Sequence, residues 1–224
     1  MLEINVVQKI ALWALPLLFA ITLHEAARGF AAYKLGDSTP RQEGRLTINP
    51  LNHIDLIGTL VVPLLLIALG SPFLFGWAKP MPINWRHFKQ PKRDLALVAI
   101  AGLLANVGMV FFWLLILTLG VMTYSMSTAM SFLVYTGKIG ITINIILMLI
   151  NLLPILPLAG GHIVFALLPP RLAEKFARLE PYAFLIILVI FAAGILHYIF
   201  APILSFVDIF LHWWLNSVIA PLIT

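Results

Sequence analysis

The sequence predicts an all-α polytopic membrane protein: about six transmembrane helices, with a short β-hairpin or extended segment after the first. Three observations predict it. Of the 224 residues, 62% are hydrophobic and only 10% are charged, whereas a soluble domain carries roughly a quarter charged residues. Mean hydropathy is +1.03. The apolar residues also fall in runs long enough to cross a bilayer, which takes about 20 residues of helix. Cysteine is absent, which excludes disulfides and thiolate metal sites and leaves the redox compartment open. The net charge of +5 suits anionic lipid headgroups. No aromatic–basic interleaving accompanies it, so nucleic acid is not an expected partner. Without internal repeats or low-complexity linkers, residues 1–224 read as a single membrane-embedded domain.

The spans follow in order. Lys9–Leu35 is the first. Its opening run, Ile10–Ile21, has the length of a signal-peptide core but continues through Ala26, Ala27 and Phe30–Tyr33, so it reads as a retained helix. Gly36-Asp37 supplies a helix C-cap and a turn. Arg41–Gly58, "RQEGRLTINPLNHIDLIG", carries Gly44, Pro50 and the β-favouring Leu46–Thr47–Ile48. It predicts the hairpin or extended segment, which is tolerated at membrane depth where it pairs internally or lines a cavity. Leu56–Phe75 is a second span, broken or tilted by Gly58, Pro63, Gly70 and Pro72. "GWAKPMPIN", Gly76–Asn84, cannot be a regular helix because Pro80 and Pro82 forbid it, and its Trp77 and Lys79 suit an interface. Arg86–Asp94 reads as a solvated basic loop. Leu95–Val121, Tyr135–Leu158, Tyr182–Phe200 and Ala201–Ile223 complete the six, the last bearing Asp208, His212 and Asn216. If all spans cross, Lys9, Lys79, Arg86, Lys89, Lys92, Arg93, Arg171, Lys175 and Arg178 share one side, and Lys34, Arg41, Arg45 and Lys138 lie on the other. By the positive-inside rule the first side and the N-terminus are cytoplasmic.

His24, Glu25 and Arg28 lie within little more than one turn of the first span. Ionisable groups in such a place are costly unless they face a cavity or one another. A plain Glu25–Arg28 ion pair at i, i+3 is one reading. The other is a modified H-E-x-x-H helix, in which two histidines hold zinc and the glutamate acts as general base on bound water. A further ligand would have to come from elsewhere. The other polar, glycine-bearing cluster in apolar surroundings is "NLLPILPLAGGH", Asn151–His162.

With "HEAA", "YKLGDSTPRQEGRLTINPLNHIDLIGTLVVPLL", "GWAKPMPIN", "AGLLAN" and "NLLPILPLAGGH" in this order, the chain resembles the site-2 protease family of intramembrane zinc metalloproteases over most of residues 20–165. The resemblance implies a helical core that cuts transmembrane segments of substrate proteins. It implies zinc held by the two histidines of HExxH and by an aspartate of an L-D-G motif. It also implies an asparagine, eight residues before that aspartate, that helps hold substrate or the developing oxyanion. By position His24 matches the first ligand, Glu25 the general base and Asn151 that asparagine. The second histidine is replaced by Arg28, and the aspartate by Ala159. Arg28 cannot ligate, since guanidinium has no acceptor. Asn106 remains in the third span, although the preceding "AGP" of the family is Ala101-Gly102-Leu103 here. Asn106, His162 and His53 are the remaining candidates for contact with substrate, and His162 or His53 could instead serve as a replacement ligand. His87, His197 and His212 suit loop or interfacial roles, and Thr142 and Asn144 suit interhelical hydrogen bonds.

The two replacements are electrostatically consistent. Zn²⁺ with an aspartate and a glutamate sums to zero, and so does Arg28⁺ with Glu25⁻. Zinc, the family's cofactor, is therefore expected to be weak or absent. The expected function is that of a site-2-protease-like scaffold in the plasma (inner) membrane of a prokaryote, inactive as a hydrolase. Its expected partners are transmembrane segments and the lipid bilayer. An active protease using unconventional ligands, and a non-catalytic binder, are the two alternatives. A small transporter gated by the Glu25–Arg28 pair finds no support in repeated halves with matched broken helices.

Overall fold

The structure, a computed structural model, describes residues 6–62, 65, 79–123 and 130–223. Helix α1, Val6–Lys34, ends where Gly36 takes φ 110°, a conformation that favours glycine. The turn closes with the Asp37 N–H donating to Ala32 O at 2.9 Å. The short helix α2, Thr39–Gln42, follows with proline in its first turn.

No hairpin forms in Arg41–Gly58, and no strand occurs among the described residues. The chain passes instead through a 3₁₀ turn at Pro50–His53 and a π-helical turn at Leu56–Val61. Side chains do the work that a partner strand would do. Asn49 accepts from Leu51 N–H at 3.1 Å, Asn52 donates to Gly44 O at 3.1 Å, and Asp55 accepts from Gly58 N–H at 2.6 Å. Such local bonds compete with ladder formation, and here they override the β-propensity of Leu46–Ile48. Most of the expected second span, with Gly70, Pro72 and the nearby Trp77, lies outside the described residues.

Helix α3, Pro91–Met122, starts earlier than its apolar run. Pro91 occupies the first turn, and Asp94 is buried, accepting from Gln90 N–H at 3.0 Å. The end of the expected basic loop is thus helix rather than solvated coil. Helix α4, Met130–Asn151, packs against α3 along much of its length, and α1 lies against both. Small residues permit that approach. A Cβ on Gly137 would lie 2.7 Å from Leu117 N, and one on Gly140 would lie 2.3 Å from the Trp113 ring. Met109, Trp113, Leu117, Ile141 and Ile145 form the buried core between α3 and α4.

After α4 come two short helices, α5 (Ala159–Leu167) and α6 (Pro170–Ala177). The expected fifth and sixth spans divide differently. Helix α7, Ala183–Ala192, has 10 residues, about 15 Å of rise, too short to cross. Gly194 at φ 70° ends it. A long helix then runs from Ile195, as α8 (Ile195–Trp213) continued by a π-helical turn at Trp214–Ile219. Among the described residues three helices are long and apolar enough to cross a membrane: Pro91–Met122, Met130–Asn151 and Ile195–Ile219. The chain is a membrane protein. Its α1, 29 residues long, has the length to cross but carries the polar cluster.

Candidate functional site

His24 and Glu25 are only 5% and 8% exposed, although they sit on the helix with the most charge. Helix α3 makes this possible at Gly102. A Cβ there would lie 2.7 Å from His24 Cε1 and 2.9 Å from Arg28 Cγ, so only glycine lets the two helices close over the cluster. Behind His24 runs an amide relay. Asn106, fully buried, has its Oδ1 2.6 Å from His24 Nδ1. Its Nδ2 donates to Asn144 Oδ1 at 3.0 Å, and Asn144 Nδ2 donates to Gly140 O at 2.9 Å. Since the Asn106 amine is spent on Asn144, its oxygen faces the ring, and the network assigns the imidazole proton to Nδ1. That leaves the Nε2 lone pair 4.0 Å from Glu25 Oε1. A metal-binding histidine is oriented by this kind of partner.

Glu25 has no free oxygen. Arg28 Nη1 donates to Oε1 at 3.0 Å and approaches Oε2 at 3.3 Å, and Met81 N–H donates to Oε2 at 2.9 Å. Met81 belongs to an extended strap, residues 79–84, that crosses the site. Its prolines at 80 and 82 lack N–H groups. The strap is pinned at both ends. Lys79 N–H donates to His53 O at 3.0 Å, Arg45 Nη2 donates to Lys79 O at 2.8 Å, and Asn84 N–H donates to Asp37 Oδ2 at 2.7 Å. Asp37 is buried and also receives the Thr39 hydroxyl and N–H and contacts His87 Nδ1 at 2.9 Å. Burial pushes this carboxyl up, but the hydrogen bonds from Thr39, His87 and Asn84 outweigh it and hold the group below its ordinary value.

The other predicted residues are placed as follows. Ala159 opens α5, buried against Ala99 and Leu103 of α3, so this position is filled by hydrocarbon. Asn151 turns its amide onto its own helix, donating to Leu147 O at 2.9 Å, and makes no hydrogen bond to Glu25. Asn106 lies behind His24 rather than on an open surface. His53 is buried in the loop, its Nε2 2.9 Å from Thr47 O. His162 lines a cavity of about 760 Å³ together with Arg28 and Met81. Asn144 makes the interhelical bond expected of it, whereas the Thr142 hydroxyl donates within its own helix to Lys138 O at 3.0 Å. Sequence reasoning missed the role of Met81 N–H, of Arg45 and of Gly102. The alternating prolines of "KPMPIN" were the available signal, since they leave one donor between them.

The donor set does not fit zinc. A tetrahedral site needs three protein ligands plus water, or four. His24 Nε2 and Glu25 are the acceptors on α1, His162 does not converge with them, Arg28 offers only donors, and Ala159 offers nothing. Among the described residues no group of three or more His, Cys, Asp or Glu side chains converges.

A polytopic helical membrane protein whose first long helix presents a histidine–glutamate pair, backed by an oriented amide, has the architecture of a membrane metalloprotease. The comparisons agree. The sequence is 38% identical over 194 residues, 84% of each chain, to "Putative zinc metalloprotease YwhC" of Bacillus subtilis. It is 30% identical over 173 residues to "Putative zinc metalloprotease Rip2" of Mycolicibacterium smegmatis, covering 77% of this chain and 63% of that one. The Rip2 protein of Mycobacterium tuberculosis is 26% identical over 181 residues, 80% of this chain and 66% of that one. No family model matches the sequence and no solved structure matches the fold. The chain belongs to the same site-2-protease-like family as these bacterial proteins.

Proposed function

We propose that this chain is a site-2-protease-like scaffold of a prokaryotic plasma membrane that binds transmembrane segments of other proteins without cutting them. The observation that carries the reading is the Arg28–Glu25 pair at 3.0 Å, in which a permanent guanidinium stands where relatives are expected to keep a divalent cation. Hydrolysis in such enzymes needs water whose pKa is lowered from about 15.7 to about 7 by a metal. Glu25, held by Arg28 and Met81, supplies no equivalent activation. The basic residues of the strap, of the start of α3 and of α6 favour a cytoplasmic position for that face of the molecule; a cytoplasmic N-terminus does not follow, because Asn84 and His87 bond to Asp37, just past the C-terminal end of α1.

The test is the double reversion Arg28→His with Ala159→Asp, alongside the unaltered chain. Zinc content by mass spectrometry and cleavage of a synthetic transmembrane peptide are read on both. The expected result is less than a tenth of an equivalent of zinc and no cleavage for the unaltered chain, with both gained in the revertant. One tightly held equivalent in the unaltered chain, with turnover, would favour an active enzyme using other ligands and refute the reading.

A further inference from the structure

The cavity beside the site is apolar within and basic at its mouth. Met81, Leu95, Leu156 and Phe165 give it an apolar wall. At about 760 Å³ it falls within the range of about 300–1,000 Å³ usual for ligand sites. The permanent charge at its inner end, Arg28, is matched by Glu25 at 3.0 Å. The mouth lies between the start of α3 and α6, where Trp85, Lys92, Glu174 and Glu180 stand. Residues 85–94 carry four Lys or Arg side chains and residues 170–180 carry three. Against them stand Asp94, buried and accepting from Gln90 N–H, and the exposed Glu174 and Glu180. Arg171 and Arg178, three residues before Glu174 and four after it, share its helix face and are exposed. Lys92 keeps its charge while its Nζ donates to Leu168 O at 2.9 Å and lies 5.3 Å from the Phe165 ring centre. None of these three cations forms an ion pair among the described residues. The unmatched charge of the mouth is therefore positive.

Helix α6 suits this mouth to a membrane surface. Leu172 and Leu179, at the helix and just beyond it, are exposed on the side opposite Ala177, which lines the cavity. A short helix with an outward apolar stripe bordered by Lys and Arg lies in the interface, its apolar side chains in hydrocarbon. Exposed Trp85 suits the same level. A basic pocket between helices at that level is a site for the headgroup of an acidic lipid. A zwitterionic headgroup brings no net charge to meet the cations. The bilayer supplies one anionic amphiphile in quantity, a phospholipid, whose chain suits the wall and whose phosphate suits the mouth.

We infer that this cavity holds one acyl chain of an anionic phospholipid, with the lipid phosphate at Lys92, Arg171 and Arg178. The inference goes beyond the proposed binding role and does not rest on it. The experiment titrates the full chain in nonionic detergent with phosphatidylglycerol or phosphatidylcholine carrying the same dibrominated chains, and follows quenching of tryptophan fluorescence. Phosphatidylglycerol is expected to bind about tenfold tighter, as a few Lys and Arg contacts to an acidic headgroup allow. Trp85→Phe should remove much of the quenching, because Trp85 lines the cavity. Lys92→Gln/Arg171→Gln/Arg178→Gln should bring the two lipids to rough parity, and Glu174→Gln/Glu180→Gln should widen the gap. Both glutamates are exposed, so the second variant keeps the fold even where the first does not. Equal affinity for the two lipids in the unaltered chain would overturn the inference, as would a gap that neither variant changes. Quenching left intact in Trp85→Phe would put the lipid outside the cavity and overturn it too. Brominated oleate that binds where phosphatidylglycerol does not would assign the cavity to free fatty acid, with the same consequence. None of these outcomes bears on zinc content or cleavage, which test the proposed function.

Discussion

Arg28 and Glu25 are worth more as a pair than either is worth alone. A buried ion pair stabilises little against a well-packed apolar substitute, but removing one partner strands the other, at about 3–5 kcal/mol. Both oxygens of Glu25 receive donors, and the residue is 8% exposed. Arg28→Ala should therefore destabilise the chain by about 3–5 kcal/mol. The double variant Arg28→Met/Glu25→Gln should recover most of that. Thermal unfolding in detergent reads both, and equal melting of Arg28→Ala and the unaltered chain would contradict the pairing. The i, i+3 spacing made this pair legible from sequence. The bond between His24 and Asn106 was not, because 82 residues separate them and only the Gly102 contact brings α1 against α3.

Among the elements, the strap is tied to a carboxyl that titrates differently in the folded chain. Asp37 accepts Asn84 N–H at one end of it, and Met81 N–H meets Glu25 farther along. The folded carboxyl lies below its ordinary value of 3.8, so the unfolded chain binds the proton first as pH falls. Its stabilisation is complete above about pH 5, declines through the ordinary pKa, and is gone below the folded one. Hydrogen exchange at residues 81–88 should accelerate as pH drops below about 4 beyond the intrinsic trend. Asp37→Asn should exchange faster at every pH and lose that dependence. A pH-independent protection factor in the unaltered chain would refute the role. The stop of α1 was readable because Gly36 marks it, whereas the start of α3 at Pro91 was not, because its charged first turn reads as the tail of a basic loop. The break at Gly194 was not, since apolar residues continue on both sides of it. The missing hairpin shows the opposite error. Val-like and Thr residues promised strands, while Asn49, Asn52 and Asp55 supplied bonds that removed the need.

For the whole molecule, hydropathy identified a membrane protein, and charge predicts which face is cytoplasmic. The full count of crossings depends on segments that sequence reads only as apolar. The absence of cysteine makes the orientation directly measurable. A single cysteine introduced at Lys89, an exposed position beside the start of α3, should react with a membrane-impermeant maleimide in inverted vesicles and not in intact cells. The reverse pattern would turn the molecule over, placing the strap and the cavity mouth on the outer face. Exposed apolar residues on α3 and α8, such as Phe111, Leu115, Phe206 and Ile209, are where hydrocarbon is expected to take the part of solvent.

The amide relay behind His24 has an evolutionary consequence. Asn106 and Asn144 satisfy each other in the interior, so selection for folding alone is enough to retain them, whatever becomes of catalysis. The imidazole stays aimed by machinery that serves another purpose. Any route by which this chain could acquire a metal therefore starts from a ring that is already aligned.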